Sequence, residues 1–480
     1  MLECFIIFQL NLHFRKGINL NMINLKISDI INSTKGELVL GNGNDVILNF
    51  SKNSKEIPSD GLFLAFNGEK FDGNDFCYDA IINGAKACLA TRFDERTFKL
   101  AKEKNVDLIK VSNTEKSVIE IAKYIRSIID IPVVAITGSV GKTSTKDLIS
   151  SVMSEKYKVL KTKGNMNNLI GLPLTILKMK DEQCLVVEMG MNHFGEISKL
   201  TRIAKPTIAV ITNIGTSHIG NLGSRENILK AKLEILEGLQ GNTIIINNDN
   251  DLLHKWYLQN KDNYNIITVG INAKDSDYVA EDIKCGEEKS TYVLKTKDGR
   301  VQNICVPISG EHFILNSLCA IAVGDYYKIP LNRISEGIEK TELTKQRMEI
   351  LYAKNGATLI NDTYNANYDS MSAALKYLEN VKDKRKIAVL GDMLELGNYS
   401  KEFHEKIGKE MKNVDILITV GNNAKFINEN ANVKEKFHFN NNNDAILKLK
   451  EIIKKDDIIL FKASNSMKFI DIVNSLLNVF

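Results

Sequence analysis

The chain has 480 residues, of which 44% are hydrophobic and 25% are charged, and this composition excludes a disordered or fibrous protein. At about 100–200 residues per domain, the length predicts about three domains. Because 63 Lys and Arg nearly balance 59 Asp and Glu, the net charge is only +4. The charge therefore gives no bulk electrostatic reason to expect binding to nucleic acid or to an anionic membrane.

Seven cysteines are scattered along the chain without a C-x-x-C pair. An odd, dispersed set is typical of a reducing compartment rather than of a disulfide framework or a zinc site. No apolar run approaches the ~20 residues of a membrane span. The apolar stretch near the start lacks the basic flank and the cleavage site of a signal peptide. We therefore expect a cytoplasmic protein.

The first part of the sequence predicts a small α/β domain over residues 22–112. From Ile23 it indicates a short helix, a turn and a hairpin, followed by a loop-rich stretch and a second helix. Apolar spacing over 117–130 is typical of an amphipathic helix. Pro132 ends this helix and a strand follows it.

Residues 113–340 are predicted to form a central domain with a parallel sheet. Its continuous apolar runs are V-V-A-I-T (133–137), C-L-V-V-E-M (184–189) and T-I-A-V-I-T-N-I (207–214). Such runs are typical of parallel strands buried on both faces, and the helical sequence between them predicts right-handed crossovers. After residue 277 we expect three short alternating strands, a hairpin turn at 297–299 and a long helix.

Residues 341–480 are predicted to form a C-terminal, Rossmann-like α/β domain. Its predicted strands are A-T-L-I-N (357–361), K-I-A-V-L-G (386–391), D-I-L-I-T-V-G (415–421) and D-I-I-L-F-K-A (457–463). The Asn-rich segment 439–444 is interpreted as a solvated loop. The predicted fold class is thus α/β with three domains.

A glycine-rich turn follows strand 133–137 and leads into a helix. Glycines let the backbone approach phosphate oxygens, and a helix N-terminus favours an anion. Lys142 is predicted to contact the β- and γ-phosphates, and the Thr143 hydroxyl to bind Mg²⁺. The full G-x-x-x-x-G-K-[ST] pattern is not met, because position 136 is Ile where the pattern has its first Gly. The alternative to a phosphate loop is an ordinary strand-to-helix turn rich in small residues. The predicted nucleotide-binding residues of this loop are Gly138, Ser139, Val140, Gly141, Lys142, Thr143 and Ser144.

Two further strand ends supply candidate metal ligands. Glu188 lies at the end of the second central strand, and His218 follows the third. Ligands bind beyond the carboxyl ends of strands in open α/β sheets, so these side chains are expected to lie near Thr143. Hydroxyl, carboxylate and phosphate oxygens suit Mg²⁺. A lone histidine such as His218 is, on its own, also typical of a buried structural role.

Several other segments have motif-like sequences. They are T-K-G-N-M-N-N-L-I-G-L-P (162–173), E-M-G-M-N-H-F-G-E-I (188–197), S-H-I-G-N-L-G-S…K-A-K-L-E-I-L (217–236), G-E-H-F-I-L-N-S (310–317), K-Q-R (345–347), N-D-T-Y-N-A-N (361–367), G-D-M-L-E-L-G (391–397) and K-A-S-N-S-M (462–467). Together with T-G-S-V-G-K-T-S-T at the phosphate loop, they resemble the Mur ligase superfamily, whose members form amide bonds with ATP. The resemblance covers nearly all of 22–480.

Within that superfamily the chain is most similar to the ligases that add D-alanyl-D-alanine to UDP-N-acetylmuramoyl-tripeptide. The resemblance implies these two compounds as substrates, ATP and Mg²⁺ as cofactors with a possible second metal site, and a role in cytoplasmic peptidoglycan precursor synthesis. We expect a monomer, and no nucleic-acid partner because the net charge is nearly neutral. Because Met22 begins a segment that resembles a family start, we expect residues 1–21 to lie outside the fold and translation to begin at Met22.

The resemblance also implies roles for individual residues. The implied catalytic residues are Lys142, His218 and Lys232. In several Mur ligases the lysine that matches Lys232 is carbamylated. The implied metal ligands are Thr143, Glu188 and His218. The further nucleotide-binding residues are Asn316, Arg347 and Asp362. The implied substrate-binding residues are Ser54, Lys55, Asn167, Asn168, Asn365, Asn367, Lys462 and Ser464.

Some positions depart from the family pattern. They are Asn53, Lys55, Asn74, Phe313, Tyr368, Ala463 and Asn465. None of these positions is a residue of the phosphate loop or an implied metal ligand, so we expect the ATP chemistry to be intact. The departures bear instead on recognition of the substrate. Two alternatives stay open: a related ligase of the Mur or folylpolyglutamate type that adds a single amino acid, and a non-catalytic nucleotide-binding relative.

Overall fold

A computed structural model of the chain describes residues 23–477, so the expectation for residues 1–21 lies outside the described residues. Contacts divide the described chain into two compact units. The first comprises residues 23–132 with two short segments, 157–160 and 173–185, and the second comprises the remainder. No helix in the described part is both long enough and apolar enough to cross a membrane. The domain boundaries near residues 112 and 340 stay predictions.

The first unit is built around one small sheet. Its elements are β1 (Leu25–Lys26), α1 (Ile27–Thr34), β2 (Glu37–Leu40), β3 (Val46–Ile47), β4 (Asn49–Ser51), β5 (Gly61–Leu64), α2 (Cys77–Ile82), β6 (Ala87–Ala90), α3 (Glu95–Lys104), β7 (Asp107–Lys110) and α4 (Thr114–Ile128). The sheet order is β2-β7-β6-β5-β4, with β2 antiparallel to β7 and the other pairs parallel. The predicted amphipathic helix is α4, and the Asn113 side chain caps it by accepting the Lys116 N–H at 2.8 Å.

The prediction of a hairpin after the first helix is wrong. Strand β2 pairs with β7, whereas β3 pairs with β1. In the turn after β2, the N–H of Asn42 donates to the Asp107 carboxylate at 3.0 Å. This contact attaches the turn to β7, which is distant in sequence, so the local pattern alone gave the wrong partner.

The next elements form the sheet that carries the phosphate loop. They are β8 (Val133–Thr137), α5 (Lys142–Ser154), β9 (Val159–Lys161), α6 (Gly171–Ile176), β10 (Cys184–Glu188), α7 (Glu196–Ala204), β11 (Ile208–Ile211), α8 (Ile219–Leu222), α9 (Arg225–Leu233), β12 (Thr243–Asn247), α10 (Asp251–Asn260), β13 (Asn265–Gly270), β14 (Tyr278–Cys285), β15 (Ser290–Thr296), β16 (Val301–Val306), α11 (Glu311–Tyr326) and α12 (Leu331–Glu339). The nine strands have the order β16-β15-β14-β13-β12-β11-β8-β10-β9.

Strand pairing in this sheet follows the predicted change of pattern. Strands β8, β11, β12, β13 and β14 pair in parallel, whereas β14, β15 and β16 form an antiparallel meander. The residues of β8 and β11 are fully buried, as expected for strands covered on both faces. The predicted parallel sheet with short antiparallel strands at its edge is therefore confirmed.

The last elements form a separate six-stranded sheet. They are β17 (Glu349–Tyr352), β18 (Thr358–Asn361), α13 (Tyr368–Asn380), β19 (Lys386–Gly391), α14 (Ser400–Glu410), β20 (Ile416–Val420), α15 (Lys425–Asn430), β21 (Glu435–Phe439), α16 (Asn442–Ile452), β22 (Ile458–Lys462) and α17 (Phe469–Leu477). The order is β17-β18-β22-β19-β20-β21, parallel except for the pair β17–β18. The predicted α/β class is confirmed.

The Asn-rich segment 439–444 is not a loop throughout, and this interpretation is wrong in part. Phe439 ends β21 and α16 already begins at Asn442. The side chain of Asn441 caps the helix by accepting the N–H of Asp444 at 3.0 Å. Asn is favoured at this cap position because its oxygen replaces a missing intrahelical acceptor.

Candidate active site

The glycine-rich loop lies between buried strand β8 and helix α5. Gly141 is the residue before the helix and has φ +84°, and a Cβ atom there would lie 2.7 Å from Oδ1 of Asn316. Gly138 has φ +153°, and a Cβ atom there would lie 1.9 Å from Oγ1 of Thr212. Both positions therefore require glycine, for backbone conformation and for space.

The loop following β11 holds the glycine-rich loop in place. Asn213 accepts the N–H of Val140 on its side-chain oxygen at 2.9 Å and the N–H of Ser139 on its carbonyl at 3.0 Å. The Ser139 hydroxyl accepts the N–H of Gly215 at 2.9 Å. The first N–H groups of an α-helix have no intrahelical acceptor, so the start of α5 at Lys142 offers donors to an anion.

Lys142 is the first residue of helix α5, directly after this loop. Its Nζ donates to the carbonyl of Gly138 at 2.7 Å, and the side chain is half-buried. Burial lowers the pKa of Lys142, and the nearby Glu188 carboxylate opposes that shift. The geometry fits an ammonium group that is poorly solvated and available to phosphate oxygens.

Thr143, Glu188 and Asn167 form one buried polar group. The Thr143 hydroxyl donates to Oε2 of Glu188 at 3.0 Å, and Nδ2 of Asn167 donates to Oε1 at 2.8 Å. The structure thus brings together two of the three predicted metal ligands. Within residues 23–477 no three His, Cys, Asp or Glu side chains converge as a metal cluster. An ion at Thr143 and Glu188 would therefore need phosphate oxygens and water to complete its shell, which is how Mg²⁺ is usually bound.

His218, the third predicted ligand, lines the same cleft as residues 139–143. Its Nδ1 lies 2.9 Å from Oε2 of Glu395, which belongs to the loop after β19. Burial lowers the pKa of His218, and the contact with His218 lowers the pKa of Glu395. His218 is thus paired with a carboxylate that the sequence analysis did not assign.

Lys232 is only 1% exposed on helix α9. Burial lowers its pKa well below the usual lysine value, and the positive charge of Lys142 adds to the effect. The surroundings therefore favour the neutral amine, which is the form that reacts with CO2 to give a carbamate.

Arg347 reaches the phosphate loop from the segment that leads into β17. Its Nη2 donates to the Thr143 hydroxyl at 3.2 Å, and its guanidinium lies 4.1 Å from the ring centroid of Tyr364. The Nε of Arg347 is buried, and it has no hydrogen-bond partner in the described part of the chain. The structure thus brings Arg347 to the residue predicted to bind Mg²⁺.

A second cleft adjoins the loop on the side of Asn316. The Nδ2 atom of Asn316 is buried without a partner among the described residues. Asp362 and Lys462 also line this cleft, and their charged atoms lie 2.5 Å apart. Burial lowers the pKa of His312, which lines the same cleft, to about 4. The cleft therefore combines a neutral imidazole and a free amide donor, as a nucleotide base needs.

The remaining predicted substrate-binding residues lie at several places in the fold. Asn365, Asn367 and Ser464 belong to the six-stranded region: Asn367 donates to the Ser217 hydroxyl, and Ser464 accepts the N–H of Leu394 at 2.9 Å. Asn168 caps its own turn by accepting the N–H of Gly171 at 2.8 Å.

Ser54 and Lys55 lie in the first unit. Ser54 is 7% exposed and its carbonyl accepts from Nδ2 of Asn83 at 2.9 Å, whereas Lys55 is exposed. The substrate-binding roles of all these residues stay predictions.

Sequence reasoning missed three residues that connect the two sheets. Asp369 accepts both the N–H and the hydroxyl of Thr216, at 2.7 and 2.8 Å. Ser217 accepts from Asn367, and Glu395 contacts His218. Glu395 and Ser217 had a visible signal, because Glu395 lies in the motif G-D-M-L-E-L-G and Ser217 begins the motif S-H-I-G-N-L-G-S, whereas Asp369 had none.

Comparison with protein families gives two matches. Residues 136–324 match the family described as Mur ligase middle domain, and residues 346–465 match the Mur ligase, glutamate ligase domain. Both agree with the position of the phosphate loop and of Arg347. The fold and the site therefore define a multidomain α/β nucleotide-binding protein of the Mur ligase type.

Similar proteins narrow this class. The UDP-N-acetylmuramoyl-tripeptide–D-alanyl-D-alanine ligase of Bacillus subtilis (strain 168) is 36% identical over 95% of this chain and 99% of its own length. The crystal structure of MurF from Acinetobacter baumannii is 27% identical, with a TM-score of 0.85 over 95% of this chain and 100% of that one. MurF of Thermotoga maritima in complex with ADP is 28% identical, with a TM-score of 0.76 over 89% and 97%. The chain belongs to the Mur ligase family, among the UDP-N-acetylmuramoyl-tripeptide–D-alanyl-D-alanine ligases.

Proposed function

We propose that this chain is an ATP-dependent ligase that joins D-alanyl-D-alanine to UDP-N-acetylmuramoyl-tripeptide in the synthesis of peptidoglycan precursors. One observation carries the proposal: the phosphate loop and Arg347 line one cleft, and Thr143 of that loop is hydrogen-bonded both to Arg347 and to the buried Glu188. The B. subtilis relative named for this reaction matches over almost its whole length. The Thermotoga maritima relative, solved in complex with ADP, supports nucleotide binding by this fold.

The reaction we propose proceeds through an acyl phosphate. The terminal carboxylate of the tripeptide attacks the γ-phosphorus of ATP, and the bond to the β-phosphate oxygen breaks to release ADP. The amine of D-alanyl-D-alanine then attacks the activated carbonyl carbon, loses a proton and displaces inorganic phosphate. Both steps bring anionic or electron-rich groups together, so positioned positive charge is the main requirement.

Lys142, Arg347 and the first N–H groups of α5 supply that charge in our proposal. Lys142 and the helix N-terminus donate to oxygens of the β- and γ-phosphates. Arg347 lies beside Thr143 and contacts the terminal phosphate, where charge moves during transfer. Asn316 and His312 line the second cleft, in which the adenine base binds.

Thr143 and Glu188 are the residues we propose to hold Mg²⁺, with His218 and Lys232 at a second metal site. The oxygens of Thr143 and Glu188, 3.0 Å apart and buried, fit a hard divalent cation. Mg²⁺ bound there neutralises negative charge on the phosphates.

Contacts between the two sheet regions also exclude water from the reacting groups. Asp369 holds Thr216, and Asn367 holds Ser217, directly beside the phosphate loop, where the Ser217 hydroxyl donates to the Ser139 carbonyl at 3.0 Å. An acyl phosphate hydrolyses in water, so a closed cleft protects it until the amine arrives. Because ATP and UDP-linked sugars are cytoplasmic compounds, we place the reaction in the cytoplasm.

Phosphate release with different amine donors tests the proposal. Purified protein with ATP, Mg²⁺ and UDP-N-acetylmuramoyl-tripeptide should release phosphate only when D-alanyl-D-alanine is added. Single amino acids, D-alanine included, should give background rates. Faster turnover with a single amino acid than with the dipeptide would support the alternative ligase type, and no turnover with any donor would support the non-catalytic relative.

A further inference from the structure

The segment that delivers Arg347 is attached to the phosphate-loop helix at a second point. Asp147, on α5, is 1% exposed, and its Oδ2 accepts the N–H of Thr344 at 2.9 Å and the Thr344 hydroxyl at 2.7 Å. Its Oδ1 lies 2.7 Å from Nζ of Lys161 and 3.3 Å from Nζ of Lys146. A buried carboxylate with four donors is a rigid group, because every neighbour restrains it.

Helical geometry aligns this contact with the one made by Arg347. Asp147 follows Thr143 by four residues, so the two side chains lie on one face of α5, one turn apart. Arg347 follows Thr344 by three residues. The segment between α12 and β17 is therefore bound at two successive turns of the helix, Thr344 to Asp147 and Arg347 to Thr143.

The charge on Asp147 makes the contact with Thr344 a strong one. Burial opposes ionisation of the carboxyl, but Lys146, Lys161 and the Thr344 hydroxyl outweigh it, so the pKa of Asp147 lies below its usual value. Hydrogen bonds to an ionised acceptor are roughly twice as strong as neutral ones. Asp147 lines neither of the two clefts assigned to the nucleotide. Direct contact with the nucleotide therefore does not explain its strong hydrogen bonds to Thr344.

We propose that Asp147 is a positioning residue of the ligase reaction: it anchors Thr344 on the phosphate-loop helix and so places Arg347 against the terminal phosphate of ATP. The inference rests on the proposed function. Asp147 acts only through the segment 344–347. Because ADP lacks the terminal phosphate, the anchor contributes to binding of the triphosphate and to turnover, and not to binding of ADP.

Thr344→Val removes the hydroxyl donor and keeps the β-branched shape. We expect the dissociation constant of a non-hydrolysable ATP analogue to rise about tenfold and kcat to fall by a similar factor, as for the loss of a hydrogen bond to a charged group. The dissociation constant of ADP should not change. Thr344→Ser keeps both donors and should restore analogue affinity and kcat to near wild-type values.

A double-variant cycle separates positioning from a general disturbance. Arg347→Ala should show the same selective loss of analogue affinity, and Thr344→Val should add nothing in the Arg347→Ala background, because the anchor acts through Arg347. Thr341→Val is the matched control. Its hydroxyl donates to the Gly337 carbonyl at 3.0 Å and not to Asp147, so analogue affinity should stay unchanged.

Multiplicative effects of Thr344→Val and Arg347→Ala would overturn the proposal, and so would an equal loss of ADP affinity. Asp147→Asn changes the acceptor of the Thr344 hydrogen bonds, and it should give the same selective loss of affinity for the ATP analogue. If it does not fold, the Thr344 cycle carries the test. A wild type that binds ATP but ligates nothing would refute the proposed function, whereas the comparison of analogue with ADP would still decide the role of Asp147.

Discussion

Each residue of the phosphate loop is placed by contacts that leave little freedom. Gly138 and Gly141 have no room for a side chain, and Asn213 binds the loop from the neighbouring strand end. Burial lowers the pKa of both Lys142 and Lys232. The Glu188 carboxylate opposes this shift at Lys142, whereas the positive charge of Lys142 adds to it at Lys232.

Lys142→Ala should reduce turnover by roughly 10²–10³-fold or more, because one preorganised charge on the transferred phosphate is lost. The measurement is steady-state phosphate release with saturating substrates. Lys146→Ala is no suitable control, since Lys146 contacts Asp147. Exposed Lys199 on α7 is the matched alternative and should leave the rate unchanged when replaced by Ala. Near-normal ligation by Lys142→Ala would mean that this loop is not the catalytic one.

Lys232→Ala should be nearly inactive, and short-chain carboxylates should restore part of the activity if Lys232 acts as a carbamate. The amine nitrogen attacks the carbon of CO2 and loses a proton, which gives an anion able to bind a metal. Turnover of the wild type should also fall when CO2 is removed at raised pH. Lys230→Ala, an exposed position on the same helix, is the control. An inactive Lys232→Ala that no carboxylate restores, with an unmodified lysine in an electron-density map, would remove the carbamate from the mechanism.

At the scale of elements, buried caps and turns place the loops that form the site. The loop after β19 carries Glu395, and His404 on α14 holds it. The ring of His404 is 0% exposed: Nε2 accepts the N–H of Met393 at 2.9 Å, and Nδ1 donates to the Ser400 carbonyl at 2.6 Å. The hydrogen bond from Met393 requires an unprotonated Nε2 and therefore the neutral ring, whereas the bond to the Ser400 carbonyl is compatible with either form. Burial outweighs the opposing effect of that carbonyl and lowers the pKa of His404.

The free energy of unfolding should therefore decrease as the pH falls below about 6.5. In the unfolded chain His404 takes up a proton near its ordinary pKa of 6.5, whereas in the folded chain it does so only at lower pH. Urea unfolding at pH 7.5, 6.0 and 5.0 measures the effect. His404→Gln should flatten this pH dependence, and His193→Gln, at an exposed position, should not. Equal slopes for His404→Gln and the wild type would contradict the assignment.

The strands that form the sheets could be predicted from the sequence, and several of their connections could not. Runs such as 133–137 and 458–462 are buried on both faces, so composition alone identifies them. Strand β2 pairs with the distant β7, where Asp107 also binds the turn after β2, and the helix start at Asn442 has its cap within an Asn-rich run. Local sequence does not distinguish such caps from loops.

For the whole molecule, the site depends on contacts between distant parts of the chain. Lys142, Thr143, Glu188 and His218 follow strand ends and could be located from the sequence. Their partners could not, because Asp369 contacts Thr216 across 153 positions. The same holds for the hairpin tip between β14 and β15. There the Glu287 carboxylate accepts from Lys384 at 3.0 Å and its carbonyl accepts from the Tyr377 hydroxyl at 2.7 Å, so the two sheet regions are also joined by residues that line neither cleft.

The central claim is that the chain activates a peptide carboxylate with ATP and transfers it to D-alanyl-D-alanine. The most direct measurement uses UDP-N-acetylmuramoyl-tripeptide labelled with ¹⁸O in its terminal carboxylate, with ATP and the dipeptide, and analyses peptide and phosphate by mass spectrometry. The account predicts one pentapeptide product and one ADP for each phosphate released, and one ¹⁸O atom in that phosphate. Unlabelled phosphate, or ATP hydrolysis without a pentapeptide product, would contradict it.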